Sequence, residues 1–107
     1  MTANLYNLLS WLVFLAALRG AETGGHPDPR NAVGDGGRSV GPYQIARAHQ
    51  IDSGVKGDVR DRATAEQVMF AYWCRWCPQA VAGRDWETMA RCHNGGPRGH
   101  RKRATIG

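Results

Sequence analysis

The sequence lacks the features that define several common protein classes. Only three cysteines occur among 107 residues, so at most one disulfide can form and a disulfide framework is excluded. No N-x-[ST] glycosylation sequon, internal repeat or low-complexity segment is present. The length and the 42% hydrophobic content therefore predict a single globular domain over residues 1–107, with one modest core.

Acidic residues are scarce relative to basic ones. Fourteen Lys and Arg residues, twelve of them Arg, face nine Asp and Glu, which gives a net charge of +5. This balance favours polyanionic partners: nucleic acid, an acidic membrane or an anionic cell-wall polymer. No nucleic-acid-reading motif accompanies the basic cluster Arg98–Arg103, so we do not expect a nucleic-acid partner.

A long hydrophobic run is also missing. The longest, Leu8–Leu18, has eleven residues, which is too short to span a bilayer. It has the length of a signal-peptide core, but no Lys or Arg precedes it and no clean A-x-A site follows. We interpret residues 1–21 as a first helix, which could double as a poor signal-like segment. A secreted or periplasmic location is expected only from the function inferred below.

The remaining pattern predicts an α+β fold that is mostly helical with one small β-hairpin. Apolar periodicity indicates helices at about residues 3–21, from Thr64 to Pro78 and from Asp85 to about His93. The Asp-Gly-Gly turn at residues 35–37 indicates a hairpin, and residues 45–49 fit one or two helical turns. Residues 52–64 are interpreted as a polar connection.

Three carboxylates fall in an unusual glycine- and proline-rich stretch. Glu22 lies in or just after the last turn of the first helix, where partial desolvation would raise a carboxyl pKa. Asp35 lies in a solvated glycine-rich turn and should stay ionised. Asp28, between two prolines, is interpreted as a loop cap. A protonated and an ionised carboxyl are the pair that glycoside hydrolysis requires.

Three segments in the same order resemble a known family. They are AETGG at 21–25, VGPYQI at 40–45 and ARCHNGGPRG at 90–99. With them the chain resembles the lysozyme-like superfamily, and within it the invertebrate-type (destabilase-like) lysozymes and their bacterial relatives. The resemblance implies a lysozyme-like fold and a muramidase that cleaves the β-1,4 MurNAc–GlcNAc bond of peptidoglycan. A chitooligosaccharide-like glycan is the alternative substrate class.

The resemblance also implies the site residues. Glu22 would be the catalytic acid and Asp35 the nucleophile. Tyr43, Gln44, His93 and Asn94 would bind substrate, although a core position for Tyr43 and a hairpin hydrogen bond for Gln44 are equally open. No cofactor and no metal are implied, and a monomer is expected.

Cysteine offers a competing interpretation. Cys74 and Cys77 form C-x-x-C, and with Cys92 and His93 they are a possible zinc set. Because the first pair lies inside an aromatic helix, we favour a core role or a reactive thiol pair.

Three other functions stay open. A lytic transglycosylase would need only Glu22. A degenerate copy would bind glycan without turnover, an alternative that arises because family members commonly continue beyond the segment matched by Gly107. A nucleic-acid-binding protein would use the basic cluster Arg98–Arg103. No clear Ser–Lys or Cys–His pair supports the isopeptidase activity described for some relatives.

Overall fold

The structure is a computed structural model, and it describes residues 2–24 and 26–95. Five α-helices lie within these ranges: α1 (Thr2–Thr23), α2 (Arg47–Ser53), α3 (Arg62–Trp76), α4 (Pro78–Gly83) and α5 (Trp86–Gly95). Two short 3-10 turns cover Pro29–Asn31 and Asp35–Gly37. The basic cluster Arg98–Arg103 lies outside the described residues.

The first helix ends where the glycines predict. Gly24 follows α1 with a φ of +59°, and its N–H donates to the Gly20 carbonyl at 3.0 Å. A positive φ is available to glycine at little steric cost, so the chain can turn away from the helix axis there. Glu22 consequently lies in the last turn of α1, as predicted.

A small antiparallel sheet follows, with three strands of two residues each. β1 (Val33–Gly34) pairs with β2 (Ser39–Val40), which confirms the predicted hairpin around the Asp-Gly-Gly turn. β3 (Ile45–Ala46) then pairs with β2, giving the order β1-β2-β3. The prediction of helical turns from residue 45 was wrong for these first two residues, since α2 begins only at Arg47.

One hydrophobic core joins α1, α3 and α5. Trp73, in the middle of α3, is 1% exposed and donates its indole N–H to the Met89 carbonyl at 2.9 Å. The aromatic rings of Trp11 and Phe14 on α1 lie 6.5 and 5.8 Å from the Trp73 ring. The opposite face of α1 is exposed, with large apolar side chains at Leu5, Leu8, Leu9, Leu12 and Val13. No helix within the described ranges has the length and apolarity to cross a membrane.

Two boundaries of the helical part differ from the prediction. α3 begins at Arg62 rather than Thr64, because the Asp61 carboxylate accepts the Thr64 N–H at 3.0 Å and caps the helix. Pro78 does end α3, but it also opens α4, since proline is tolerated in the first turn of a helix. The sequence analysis had not predicted α4.

Candidate active site

A cleft of about 460 Å³ lies where α1, the sheet, α2 and α5 meet. Its walls come from residues far apart in the chain, and most of the side chains are polar. The lining consists of Glu22, Gly34, Ser39, Gln44, Ala46, Ala48, His49, Asp52, Tyr72, His93 and Asn94. Four of the six predicted site residues, Glu22, Gln44, His93 and Asn94, therefore line one cavity.

Glu22 enters the cleft from the C-terminal turn of α1. Its side chain is partly buried. The turn is held from both sides, because Thr23 donates its hydroxyl to the Arg19 carbonyl at 2.8 Å and Leu18 packs into the core. The carboxyl group is therefore presented by a packed helix rather than by a loop.

Asp35 follows directly on a cleft residue. Gly34, the last residue of β1, lines the cleft, and Asp35 starts the 3-10 turn after it. The backbone thus brings Asp35 to the edge of the cavity that Glu22 lines. The contact between the Asp35 carboxylate and a substrate stays a prediction.

Tyr43 lies in the core, which is the alternative that the sequence left open. It is fully buried, and its side chain is not among the residues lining the cleft. Its hydroxyl donates to Glu66 at 2.6 Å and accepts from Arg19 at 2.7 Å. Burial raises the pKa of the phenol well above its usual range, and the Glu66 hydrogen bond adds to the effect. Tyr43 therefore joins α1 and α3 behind the cleft.

Gln44 lines the cleft and also ties the sheet together. Its side-chain amide donates to the carbonyls of Ala32 and Gly41, at 3.0 and 2.9 Å. Its φ of 52° is unusual for a residue other than glycine, so the fold holds it in a strained conformation. A Cβ placed on Gly34 would require the end of the Gln44 side chain to move, because its amide oxygen occupies that space. Gln44 is thus a brace of the hairpin that carries Asp35.

His93 forms part of the cleft floor, and Asn94 lies exposed at its edge. His93 donates its Nε2–H to the Tyr43 carbonyl at 2.8 Å, because a carbonyl can only accept. In the neutral ring Nδ1 is then an acceptor, and this buried atom has no hydrogen-bond partner within residues 2–24 and 26–95. Burial lowers the pKa of His93 to about 4, and the Tyr43 carbonyl opposes this shift.

Two cleft residues were missed by the sequence analysis. His49 and Asp52 lie on α2. The sequence analysis had interpreted residues 45–49 as one or two helical turns and residues 52–64 as a polar connection. The His49 ring packs 3.9 Å from the Tyr72 ring and 5.1 Å from the His93 ring. Burial and the nearby His93 lower the pKa of His49 to about 3. Spacing along α2, with residues 49 and 52 on one face, is the signal that could have found them.

The cysteines do not assemble into a metal site among the described residues. Cys74 is exposed, whereas Cys77 and Cys92 are buried and hydrogen-bonded to each other, which raises the pKa of Cys77. No group of three or more His, Cys, Asp or Glu side chains suited to a metal occurs within residues 2–24 and 26–95. The core role favoured from the sequence for Cys74 and Cys77 is therefore confirmed for Cys77 and wrong for Cys74, which faces solvent.

Comparison with known proteins was made at the levels of sequence and structure. No protein-family model matches the chain. Lysozyme 1 of Crassostrea virginica is 36% identical over 74 residues, which are 64% of this chain but only 40% of the oyster protein. The chain therefore spans about two fifths of the length of that relative.

Two solved structures share both fold and sequence with the chain. The inhibitor-bound lysozyme from Meretrix lusoria matches with a TM-score of 0.71 and 33% identity, over 87% of this chain and 80% of that one. The complex of Aeromonas hydrophila PliI with Meretrix lusoria lysozyme matches with a TM-score of 0.69 and 31% identity, over the same shares. On this likeness in fold and sequence, the chain belongs to the invertebrate-type lysozyme family.

Proposed function

We propose that this chain is a muramidase that cleaves the β-1,4 bond between MurNAc and GlcNAc in peptidoglycan. The observation that carries the proposal is that Glu22 and Gly34, the residue before Asp35, line the same cleft. Two carboxyl groups on opposite sides of a sugar linkage are the minimum that this reaction needs. Membership of the lysozyme family supports the same reaction class.

Glu22 would act as the general acid. It lies at the end of a helix packed on the core and is partly buried. Water therefore solvates the ionised carboxylate less well than at an open surface, which favours the protonated form. A carboxylic acid in this setting can protonate the leaving oxygen while the glycosidic bond breaks. The pattern is that of the lysozyme case commonly used to explain such acids.

Asp35 would act as the nucleophile. It would attack the anomeric carbon from the opposite face and form a covalent glycosyl-enzyme intermediate. A water molecule, deprotonated by Glu22 in its second role as a base, would then release the sugar with retained configuration. Gly36 and Gly37, each with open space where a Cβ would lie, leave the backbone near Asp35 accessible to a bulky sugar chain.

The polar lining of the cleft suits an N-acetylated sugar. The ring of His93 and the exposed amide of Asn94 both line the cleft. Sugar hydroxyls and acetamido N–H groups are donors, and amide side chains can both donate to and accept from them. These side chains would orient the ring without taking part in proton transfer.

Purified peptidoglycan digested by the wild type, Glu22→Gln and Asp35→Asn tests the proposal, with mass analysis of the products. We expect reducing MurNAc ends from the wild type and loss of turnover in both variants. Anhydro-sugar products that persist in Asp35→Asn would instead identify a lytic transglycosylase. Saccharide binding with no turnover by the wild type would identify a non-catalytic glycan-binding protein.

Asp52→Asn is the matched control for this experiment. Asp52 is a second carboxylate in the cleft, carried by α2 rather than by the hairpin. The proposal expects Asp52→Asn to keep most of the activity. If Asp52→Asn abolishes turnover while Asp35→Asn preserves it, the partner of Glu22 is Asp52 and the assignment of Asp35 is wrong.

A further inference from the structure

A hydrogen-bonded cluster lies one helical turn before Glu22. Arg19 on α1 donates to the Tyr43 hydroxyl at 2.7 Å and lies 3.4 Å from a carboxylate oxygen of Glu66 on α3. The Tyr43 hydroxyl donates to the same Glu66 oxygen at 2.6 Å. The side chains of Arg19 and Glu66 are only 26% and 30% exposed. Three separate elements are thus joined through one carboxylate.

The cluster reaches the cleft by two routes. Residues three apart on a helix are neighbours, so the side chains of Arg19 and Glu22 leave α1 on adjacent turns, with Cβ atoms roughly 5–6 Å apart. Tyr43 also accepts, through its backbone carbonyl, the hydrogen bond that fixes His93 in the cleft floor. A change in the cluster would therefore alter the position of side chains on both the α1 side and the α5 side of the cleft.

The cluster holds two positive charges and one negative charge. The Glu66 carboxylate faces the Arg19 guanidinium, and Arg62 approaches the same oxygen from the solvent side at 3.7 Å. The charge of Arg19 favours an ionised Glu22, and the charge of Glu66 offsets that influence. Removing Glu66 would leave the Arg19 charge without its carboxylate partner beside α1, whereas removing Arg19 would leave Glu66 paired with Arg62 alone.

We propose that Arg19, Tyr43 and Glu66 are positioning residues for Glu22, and that their charge balance sets the pH range over which Glu22 carries its proton. This inference rests on the proposed role of Glu22 as the acid. The other titratable side chains that line the described cleft with Glu22 are Asp52 and His49 on α2, Tyr72 on α3 and His93 on α5. All of these stay unchanged when the cluster is altered, so the effect of the cluster can be isolated.

Two substitutions that remove charges of opposite sign give opposite expectations. Glu66→Gln leaves the Arg19 charge uncompensated, so Glu22 should lose its proton more readily and the alkaline limb of the pH–activity profile should move to lower pH. Arg19→Gln removes a positive charge from the turn of α1 before Glu22, so Glu22 should keep its proton to higher pH and the same limb should move to higher pH. We expect each shift to be about half a pH unit or more. Arg19→Lys keeps the charge and should restore the wild-type limb.

Two controls separate charge from geometry. Tyr43→Phe removes the bridging hydroxyl without changing charge, so it should lower the rate at every pH and leave the limb in place. Glu87→Gln makes the same charge change at an exposed pair with Arg91 on α5, and should leave the profile unchanged. If the cluster acted only on structure, Arg19→Gln and Glu66→Gln would lower the rate by the same factor at every pH and leave the alkaline limb at its wild-type pH. That result, or shifts in the same direction, would overturn the inference.

A titration that needs no turnover separates this inference from the proposed function. The carboxyl ¹³C resonance of Glu22, assigned by its absence in Glu22→Gln, can be followed against pH in each folded variant. If the wild type digests no peptidoglycan, the proposed function fails, but opposite movements of the Glu22 midpoint in the two variants would still support the inference. Unmoved midpoints would end it. If Arg19→Gln does not fold, the Glu22 midpoint is compared between Glu66→Gln and Glu87→Gln. A lower midpoint in Glu66→Gln alone supports the inference, and equal midpoints overturn it.

Discussion

The two walls of the cleft are built in different ways. The wall that carries Glu22 is the end of a 22-residue helix packed on an aromatic core and tied through Arg19 to two other elements. The wall that leads to Asp35 consists of two-residue strands, two positive-φ glycines in the turn and the side chain of Gln44. The first wall depends on buried apolar area, and the second on a few backbone hydrogen bonds. The difference suits the reaction, because a proton donor must be fixed whereas a polysaccharide needs an open, closely approachable backbone.

Substitutions in the aromatic core should lower the free energy of unfolding much more than substitutions in the two-residue strands. One substitution of each kind gives the largest expected difference. Trp73→Ala should cost roughly 3–5 kcal/mol, because a buried aromatic ring and its hydrogen bond to Met89 are lost. Val33→Ala, at an exposed position on β1, should change stability by less than about 0.5 kcal/mol. Urea unfolding monitored by circular dichroism measures both. Comparable losses in the two variants would show that the hairpin wall contributes more to stability than its packing suggests.

Acid should weaken the helical side of the cleft through its buried imidazoles. The pKa values of His49 and His93, about 3 and 4, lie below the unfolded value, so their contribution is fully present above about pH 6.5 and is lost as the pH falls. Each imidazole can add a slope of up to about 1.4 kcal/mol per pH unit below that point. Denaturation midpoints between pH 5 and 7, above the range where most carboxylates titrate, would show the trend. His49→Phe keeps a ring against Tyr72 and should flatten the curve; an unchanged slope would contradict the assignment.

The turn after β2 packs closely against the segment before α3 at one glycine. Gly41 has a φ of +85°, and a Cβ there would lie 2.6 Å from the Val59 carbonyl oxygen. Gly41→Ala should therefore destabilise the protein by about 2 kcal/mol or more, since strain and a backbone clash add together. Gly36→Ala is the matched control, because Gly36 has a φ of +64° but open space around it, and it should cost only about 1 kcal/mol. Equal losses in thermal unfolding would mean that the contact with Val59 is not restrictive.

Within the hairpin wall, Gln44 should matter more for activity than for stability. Gln44→Ala removes two hydrogen bonds to backbone carbonyls, at a cost of about 1–2 kcal/mol. Because these bonds hold the strand leading to Asp35, we expect kcat to fall by about tenfold or more through lost orientation. Gln50→Ala removes a similar amide that also spans two carbonyls, in the loop after α2, and should leave kcat near the wild-type value. Equal kcat values for the two variants would show that the Gln44 hydrogen bonds do not orient Asp35 for catalysis.

The sequence predicted the parts of this molecule that depend on local signals. Gly24 after an apolar helix, the Asp-Gly-Gly turn and Pro78 each determine the backbone within a few residues, so α1, the hairpin and the end of α3 were predicted. Helix α4 was not, because its six residues form at a proline usually interpreted as a terminator. The start of α3 was placed late because the sequence does not reveal which side chain provides the cap.

The site was predictable where the family resemblance matched it and only partly so elsewhere. Glu22, Gln44, His93 and Asn94 line the cleft as residues of the three matched segments. The core position of Tyr43 and the roles of Arg19 and Glu66 depend on contacts between residues 23 to 47 positions apart. Such contacts follow from the packing of α1 against α3 and leave no periodic trace in the sequence. The same holds for His49 and Asp52, which reach the cleft only because α2 packs beside the sheet.

A crystal structure of Glu22→Gln with a bound chitooligosaccharide would test the central claim most directly, through the distance between the residue 22 side chain and the Asp35 carboxylate on either side of the linkage. The account predicts a sugar in the cleft lined by residues 22 and 34, with the two groups roughly 5–5.5 Å apart, as retention requires. A gap of roughly 6.5–9.5 Å would indicate an inverting route. A sugar bound elsewhere, or the two side chains on opposite faces with no groove between them, would contradict the account.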